Sequence, residues 1–190
     1  MVEVEYKFLK IDKNQILEKL KEIGAKLVHA EFKMIRCVFH QSTNPQMKGR
    51  STRVRKEFGK ITLTHKDLVN SDGFPDEIEV EVSDFDGTVS ILKNSGLNLT
   101  STQESLRETW QKGDVFVMID TRPHMETYVE IESKIGSEDD VKNLAFELGL
   151  DWESRTLKGI TDLYSEKYSK TIDEVRALTE NLTFNKNPFE

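Results

Sequence analysis

At the start of the chain Val2, Val4 and Tyr6 alternate with Glu3, Glu5 and Lys7. A period of two predicts a β-strand with one apolar and one ionic face. The same alternation recurs, predicting strands over residues 2–9, 31–40, 51–57, 60–66, 76–83, 104–111, 114–121 and 127–133. Gly59 and the run Lys112-Gly113-Asp114 read as hairpin turns between neighbouring strands. The period changes to that of a helix in four places. After Asp12, a good N-cap, Ile16, Leu17, Leu20 and Ile23 form a stripe that Gly24 ends. A second helix is predicted over 86–94, and a third after Ser137, with acids in its first turn and Val141, Leu144, Ala145 and Leu148 inward. Thr171-Ile172-Asp173-Glu174 is a capping box opening a short fourth helix. The last stretch, 181–190, is polar with Phe184 and Phe189, and reads as a loosely tied tail or an added edge strand.

The polar face of these strands is the informative one. Arg53 and Arg55 share a face, as do Thr62, Thr64 and Lys66, then Glu77, Glu79 and Glu81, and later Glu130 and Glu132. Arg107 and Asp120 occupy the polar parity of their own strands. A solvated side of an antiparallel sheet explains any one strand. Rows of a single sign are harder to explain that way, because Glu77, Glu79 and Glu81 repel one another unless cations or facing arginines compensate them. A second arrangement satisfies all the strands at once. About eight strands can close into a barrel, with apolar faces outward under the helices and ionic faces lining the lumen. Acid rows would then hold hard divalent cations through oxygen, and arginine rows would hold phosphate. The predicted class is therefore α+β, an eight-stranded antiparallel closed β-barrel with helices packed outside.

Composition narrows the functional range. The chain has 190 residues, 34 acidic and 27 basic, and a formal charge of −7, which argues against nucleic-acid or anionic-membrane binding. Net charge does not oppose a local basic pocket. The single cysteine, Cys37, excludes a disulfide framework and a cysteine-based zinc site, and its apolar neighbours mark it as a packed thiol. No apolar run approaches the ~20 residues that span a bilayer. Glu3 and Glu5 stand where a signal peptide carries positive charge, so a cytoplasmic location is expected. The four histidines, 29, 40, 65 and 124, lack metal-ligand spacing, and there is no glycine-rich phosphate loop or Ser-His-Asp arrangement.

The acid-x-acid-x-base pattern at Glu3, Glu5 and Lys7 arises by chance about once in a chain of this composition. It gains weight in company. EVEYK, then TRVR followed by ITLTHK, EIEVEVSD, LRETW, VMID and YVEIES, in that order, resemble the CYTH superfamily, the triphosphate tunnel metalloenzymes, over about residues 1–165. The resemblance implies an eight-stranded closed barrel around a charged tunnel. It implies metal ligation by Glu3, Glu5, Glu77, Glu79, Asp120, Glu130 and Glu132, with Mg²⁺ or Mn²⁺ as cofactor. It implies triphosphate contacts from Lys7, Arg53, Arg55, Lys66 and Arg107, with Arg155 as a further basic contact. Departures from the family pattern fall at Pro75 and Ser105, where a basic residue is common, and in segment 31–50. Arg36, His40, Lys48 and Arg50 are candidates for replacement charge there.

The expected domain spans 1–170, followed by a short helix and tail over 171–190. The expected activity is metal-dependent hydrolysis of a triphosphate (inorganic tripolyphosphate, thiamine triphosphate or a nucleoside triphosphate). Lys7, Glu79 and Glu130 are the expected catalytic residues, the acids positioning the nucleophile. The alternatives are a class IV adenylyl cyclase, converting ATP to cyclic AMP and pyrophosphate, and a non-catalytic polyphosphate-binding module. The expected partner is a small-molecule triphosphate, with no nucleic acid or membrane; a homodimer is compatible with the sequence.

Overall fold

The computed structural model describes residues 4–40, 49–67 and 76–190. In order these form β1 (Val4–Phe8), α1 (Lys13–Glu22), β2 (Lys26–His40), β3 (Arg50–Glu57), β4 (Lys60–Asp67), β5 (Asp76–Glu81) and α2 (Phe85–Asn94). Then follow β6 (Asn98–Lys112), β7 (Val115–Thr121), β8 (Tyr128–Ser133), α3 (Glu138–Glu147), a 3₁₀ turn (Trp152–Ser154), α4 (Ile160–Tyr168), α5 (Ile172–Leu178) and β9 (Asn181–Leu182). The chain forms two compact units, residues 1–32 with 106–158 and residues 33–105 with 159–190, so β2 and β6 each contribute to both.

In the first unit the strand order is β1-β8-β7-β6, with antiparallel ladders. Val4, Tyr6 and Phe8 of β1, Val129 and Ile131 of β8, and Val115, Val117 and Ile119 of β7 are buried. They share one sheet face by register, and α3 packs against these three strands with Val141, Leu144, Ala145 and Leu148 buried. Ser137 caps α3 by accepting from the Asp140 amide, and the acids of its first turn suit the helix dipole. Asp12 caps α1, which buries Ile16 and Leu20.

In the second unit the order is β6-β2-β3-β4-β5. Cys37, Phe39 and Val54 form a core against which Ile61, Leu63, Phe85, Val89 and Leu92 pack, so α2 lies over the apolar face. The end of the chain is tied down. β9 pairs parallel with β6 through Thr102 and Gln103, Leu182 is fully buried, and the Phe184 amide donates to Glu104 at 3.2 Å. Phe189 stacks on Tyr168 with centroids 4.1 Å apart. Of 181–190, Asn181 and Leu182 form this added strand.

All six ladders among β1, β8, β7 and β6 and among β2, β3, β4 and β5 are antiparallel, as the alternation requires. Closing a barrel takes a further ladder between β1 and β5. Among the described residues β1 pairs with β8 and, through a two-way backbone bridge of Lys7 with Thr156, with the segment after the 3₁₀ turn; β5 pairs with β4. Two strands run longer than predicted. β2 starts at Lys26 and β6 at Asn98, because ladder partners recruit stretches whose own alternation is weak. The helix α4 was not predicted: its apolar residues, Ile160, Leu163 and Tyr164, make no long stripe, and its start is set by Asp162 accepting from the Gly159 amide.

Phe39 has no exposed surface. The Phe39→Ala variant is expected to lose about 3–5 kcal/mol of stability in denaturant unfolding, the usual cost of a truncated core aromatic.

Candidate functional site

Register places a charged row on the sheet face of the first unit away from α3. Lys7 lies opposite Glu130, Glu5 opposite Glu132, and Asp120 between Arg107 and Tyr128 on the flanking strands. Lys7 Nζ sits 2.6 Å from Glu5 Oε1 and 3.3 Å from Glu130 Oε1. Arg107 donates from Nε to Asp120 Oδ1 at 2.6 Å, from Nη2 to Asp120 Oδ2, and from Nη2 to Glu130 Oε2 at 2.6 Å. Lys7, Asp120 and Glu130 are all buried, Asp120 completely. Carboxylates so placed survive only because each meets a cation at hydrogen-bond distance.

Burial works against the Glu130 carboxylate, but Lys7, Arg107 and Arg122 outweigh it and hold its pKa well below the usual carboxylate range. Burial likewise disfavours the Lys7 ammonium, and the charges of Glu130 and Glu5 more than offset this and raise its pKa. Both groups are therefore charged at neutral pH.

The second unit carries a more open row. Arg53 and Arg55 of β3 face Thr64 and Thr62 of β4, which face Glu79 and Glu81 of β5; Lys66 faces Glu77. Thr64 donates to Glu79 Oε2 at 2.7 Å, while Arg53 Nη2 and Arg55 Nη2 stand 3.8 and 3.9 Å from the same oxygen. Arg55 Nη2 also lies 2.9 Å from Glu57 Oε1, Lys66 pairs with Glu77, and Lys60 Nζ is 3.6 Å from Glu81. The Glu row is compensated strand by strand, as its self-repulsion demands. Arg55 Nε is buried and finds no acceptor among the described residues. Burial raises the proton affinity of Glu79, and the Thr64 hydroxyl with Arg55, Arg53 and Lys60 reverses the effect and lowers its pKa.

A family model described as the CYTH domain matches residues 1–180. The chain belongs to the CYTH domain family. A relative from Methanocaldococcus jannaschii, named "Putative adenylate cyclase", is 27% identical over 141 residues, which cover 71% of this chain and 78% of that one. Two solved structures show the same fold. One, from Vibrio parahaemolyticus and also described as an adenylate cyclase of that provisional kind, has a TM-score of 0.75 at 16% identity, covering 87% of this chain and 98% of its own. The other, from Hippeastrum, is described as an adenylyl cyclase of that kind with a dominant triphosphatase activity; its TM-score is 0.59 at 15% identity, covering 90% and 96%. Among the described residues no helix is long and apolar enough to cross a membrane.

The CYTH motif residues separate into those the fold assembles and those it does not. Glu5, Lys7, Arg107, Asp120, Glu130 and Glu132 share the first row, and Arg53, Arg55, Lys66, Glu77 and Glu79 the second. Glu3, Lys48 and Pro75 lie outside the described residues. Arg155 is elsewhere. Its guanidinium lies 4.4 Å from the Trp152 ring centroid and 5.5 Å from that of Tyr6, and Nη1 donates to the Trp152 carbonyl at 2.9 Å. Tyr6 has the opposite parity to Glu5 and Lys7, so Arg155 braces β1 from its apolar side. Of the replacement cations, Arg36 lies opposite Arg55 and donates to Gln103, Arg50 pairs with Asp67 at 2.6 Å, and burial lowers the pKa of His40. Two polar residues escaped the sequence reading, Tyr128 and Arg122. Tyr128 has the parity of Glu130, and Arg122 continues that of Asp120 one residue beyond β7.

No three carboxylates, histidines or cysteines among the described residues converge as a self-sufficient metal cage. Asp120 and Glu130 give their oxygens to Arg107 and Lys7. The opposed carboxylates of Glu5 and Glu132 have the chemistry that Mg²⁺ or Mn²⁺ requires, since such ions are held by one or two carboxylates with substrate phosphates and water completing the shell.

Glu130 links the first row to pH. Because its folded pKa lies below its ordinary value of 4.5, its stabilising contribution is fully present above that value and is lost as pH falls through the folded one. The Glu130→Gln variant should lose about 3–5 kcal/mol at neutral pH, leaving Lys7 and Arg107 short of a buried counter-charge. Its stability should also fall less steeply than that of the native protein under acid titration; an acid limb identical to native would exclude the linkage.

Proposed function

We propose that this CYTH protein is a divalent-metal-dependent phosphohydrolase acting on a triphosphate. The observation carrying the proposal is the cationic row of the second unit. Arg53 and Arg55 stand 3.8 and 3.9 Å from their shared carboxylate, and Arg55 Nε is buried with no acceptor among the described residues. Guanidinium donors so disposed suit phosphate oxygens, which accept in paired, charge-assisted geometry. Lys66, on the same row, would add an ammonium to the polyphosphate chain.

Glu5 and Glu132 would hold the divalent cation, which when bound supplies charge neutralisation of the phosphates and polarisation of a water. Lys7, held charged by Glu5 and Glu130, would stabilise negative charge developing on the transferring phosphoryl group. Glu79 and Glu130 are poor proton acceptors, since their cationic neighbours depress their pKa values. Either would orient a nucleophilic water by accepting its hydrogen bonds, which suffices where the transition state is loose and little proton transfer precedes bond cleavage. Arg107, saturated by Asp120 and Glu130, would support the acids and not the phosphates.

Adenylyl cyclase chemistry is the second reading, favoured by the name of the Methanocaldococcus jannaschii relative. It differs in nucleophile and bond broken: the ribose 3′-hydroxyl attacks the α-phosphorus of ATP and pyrophosphate leaves. Hydrolysis is preferred because the charged rows, among the described residues, suit a polyphosphate chain by charge alone. The dominant triphosphatase activity ascribed to the Hippeastrum neighbour is consistent with that preference.

The purified protein, incubated with Mg²⁺ or Mn²⁺ and tripolyphosphate, thiamine triphosphate or ATP, is expected to release orthophosphate. Cyclic AMP with pyrophosphate would establish the cyclase instead, and triphosphate binding without turnover a binding module. Glu5→Gln and Arg55→Ala should each reduce kcat/KM by about 100-fold or more with the far-UV spectrum unchanged. Native rates in both variants would overturn the assignment.

A further inference from the structure

Arg122 has no assigned role, yet it is 4% exposed. It stands at the exit of β7 in a turn whose Met125 amide donates back to the Arg122 carbonyl at 3.2 Å, with His124 in the left-handed region at φ 58°. Pro123 follows and fixes its own φ. The guanidinium reaches the Tyr128 phenol, Nε donating at 3.1 Å, while Nη1 is buried with no acceptor among the described residues. A buried cation with an unsatisfied donor is costly, and a methionine would fill the volume without that cost. The charge itself therefore needs an explanation.

The explanation lies in what Tyr128 does next. A phenol has one proton to give; with the Arg122 N–H occupying its oxygen from one side, that proton turns to Asp120, and the hydroxyl donates to Oδ2 at 3.3 Å. Asp120 is thereby held at both oxygens, by Arg107 Nε at 2.6 Å on Oδ1 and by Arg107 Nη2 and Tyr128 on Oδ2. The same Arg107 Nη2 reaches Glu130, which pairs with Lys7, which pairs with Glu5. The chain Arg122-Tyr128-Asp120-Arg107-Glu130-Lys7-Glu5 thus joins three cations and three carboxylates, and without Arg122 it carries an uncompensated negative charge.

We propose that Arg122 is a positioning residue: by fixing the Tyr128 proton on Asp120 it orients the Arg107 guanidinium and, through it, the carboxylate of Glu130 beside Lys7. The inference deepens the triphosphatase reading and rests on it for its kinetic consequence. Its geometric consequence stands independently.

The test uses the full-length protein and the variants Arg122→Met, Arg122→Lys and Tyr128→Phe. With Mg²⁺ and tripolyphosphate, Arg122→Met should lower kcat about 10- to 100-fold, the usual effect of losing a hydrogen-bond partner that orients a site residue, with KM within about twofold of native. Arg122→Lys, which keeps the charge and a donor, should recover part of kcat. Tyr128→Phe should reproduce the methionine effect, and the double variant Arg122→Met/Tyr128→Phe should be no worse than either single one, because both act through one hydrogen bond. Independently of turnover, the Arg107 Nε–H resonance in ¹⁵N spectra should be protected from exchange in the native protein and lose that protection in Arg122→Met and Tyr128→Phe. Native kcat in Arg122→Met, additive losses in the double variant, or a protected Arg107 resonance in both single variants would overturn the proposal. If the native protein turns over no triphosphate, the triphosphatase reading fails and the resonance alone decides the positioning role. If Arg122→Met does not fold, Tyr128→Phe carries both measurements.

Discussion

Asp120 has no exposed surface, and a carboxylate removed from water persists only where cations and hydrogen bonds replace its hydration. Much of the first unit follows from that requirement. Arg107 must stand opposite Asp120, which fixes the register of β6 on β7; Glu130 must come within reach of the same guanidinium, which fixes β8; and Lys7 must meet Glu130, which fixes β1. A slip of one residue in any of these ladders would turn the charged row toward α3 and bring Val129, Ile131 or Val117 out of the core. The apolar face demands the same register from its own side. Packing and electrostatics agree, and neither alone would specify the pairing as firmly.

The two charged rows are built to different tolerances. In the first unit the Arg107 guanidinium is saturated at hydrogen-bond distance by two buried carboxylates, a rigid arrangement with little capacity for a new partner. In the second unit the arginines lie nearly 4 Å from Glu79, which is engaged by Thr64 at 2.7 Å. Arg55 Nη2 is held by Glu57 at 2.9 Å, but its buried Nε, with no acceptor among the described residues, can meet an anion without breaking that pair. On the proposed reading, the first row holds its acids and Lys7 in place and the second offers donors to oxyanions. The apolar side of β1 adds support, since Arg155 stacked on Trp152 and the Thr156 bridge clamp the strand from which Glu5 and Lys7 project.

Much of this was legible before any coordinates. Alternation of Val4 and Tyr6 with Glu5 and Lys7, or of Ile78 and Val80 with Glu77, Glu79 and Glu81, assigns faces within a strand, because successive side chains must point to opposite sides. Ser137, Thr171 and Asp12 announced helix starts through capping chemistry that is local in sequence. The aromatic faces that Trp152 and Tyr6 offer to Arg155 were not legible, because nothing in its local sequence indicates them. Arg122 went unnoticed because it lies past the end of β7, where the alternation stops being a guide. The ties of 181–190 to β6 and Tyr168 join residues far apart in the chain, and no local pattern encodes them.

By itself, then, the sequence determined the class of fold and the set of charged residues available on the strand faces, since both depend on periodicity and residue type. The tertiary structure decided which charge neutralises which. Arg107 is spent on Asp120 and Glu130 while Arg55 keeps a donor in reserve, although both are arginines at polar strand positions. The difference comes from strand neighbours and their register, which bring residues separated by many positions to within 3 Å in one case and leave them nearly 4 Å apart in the other.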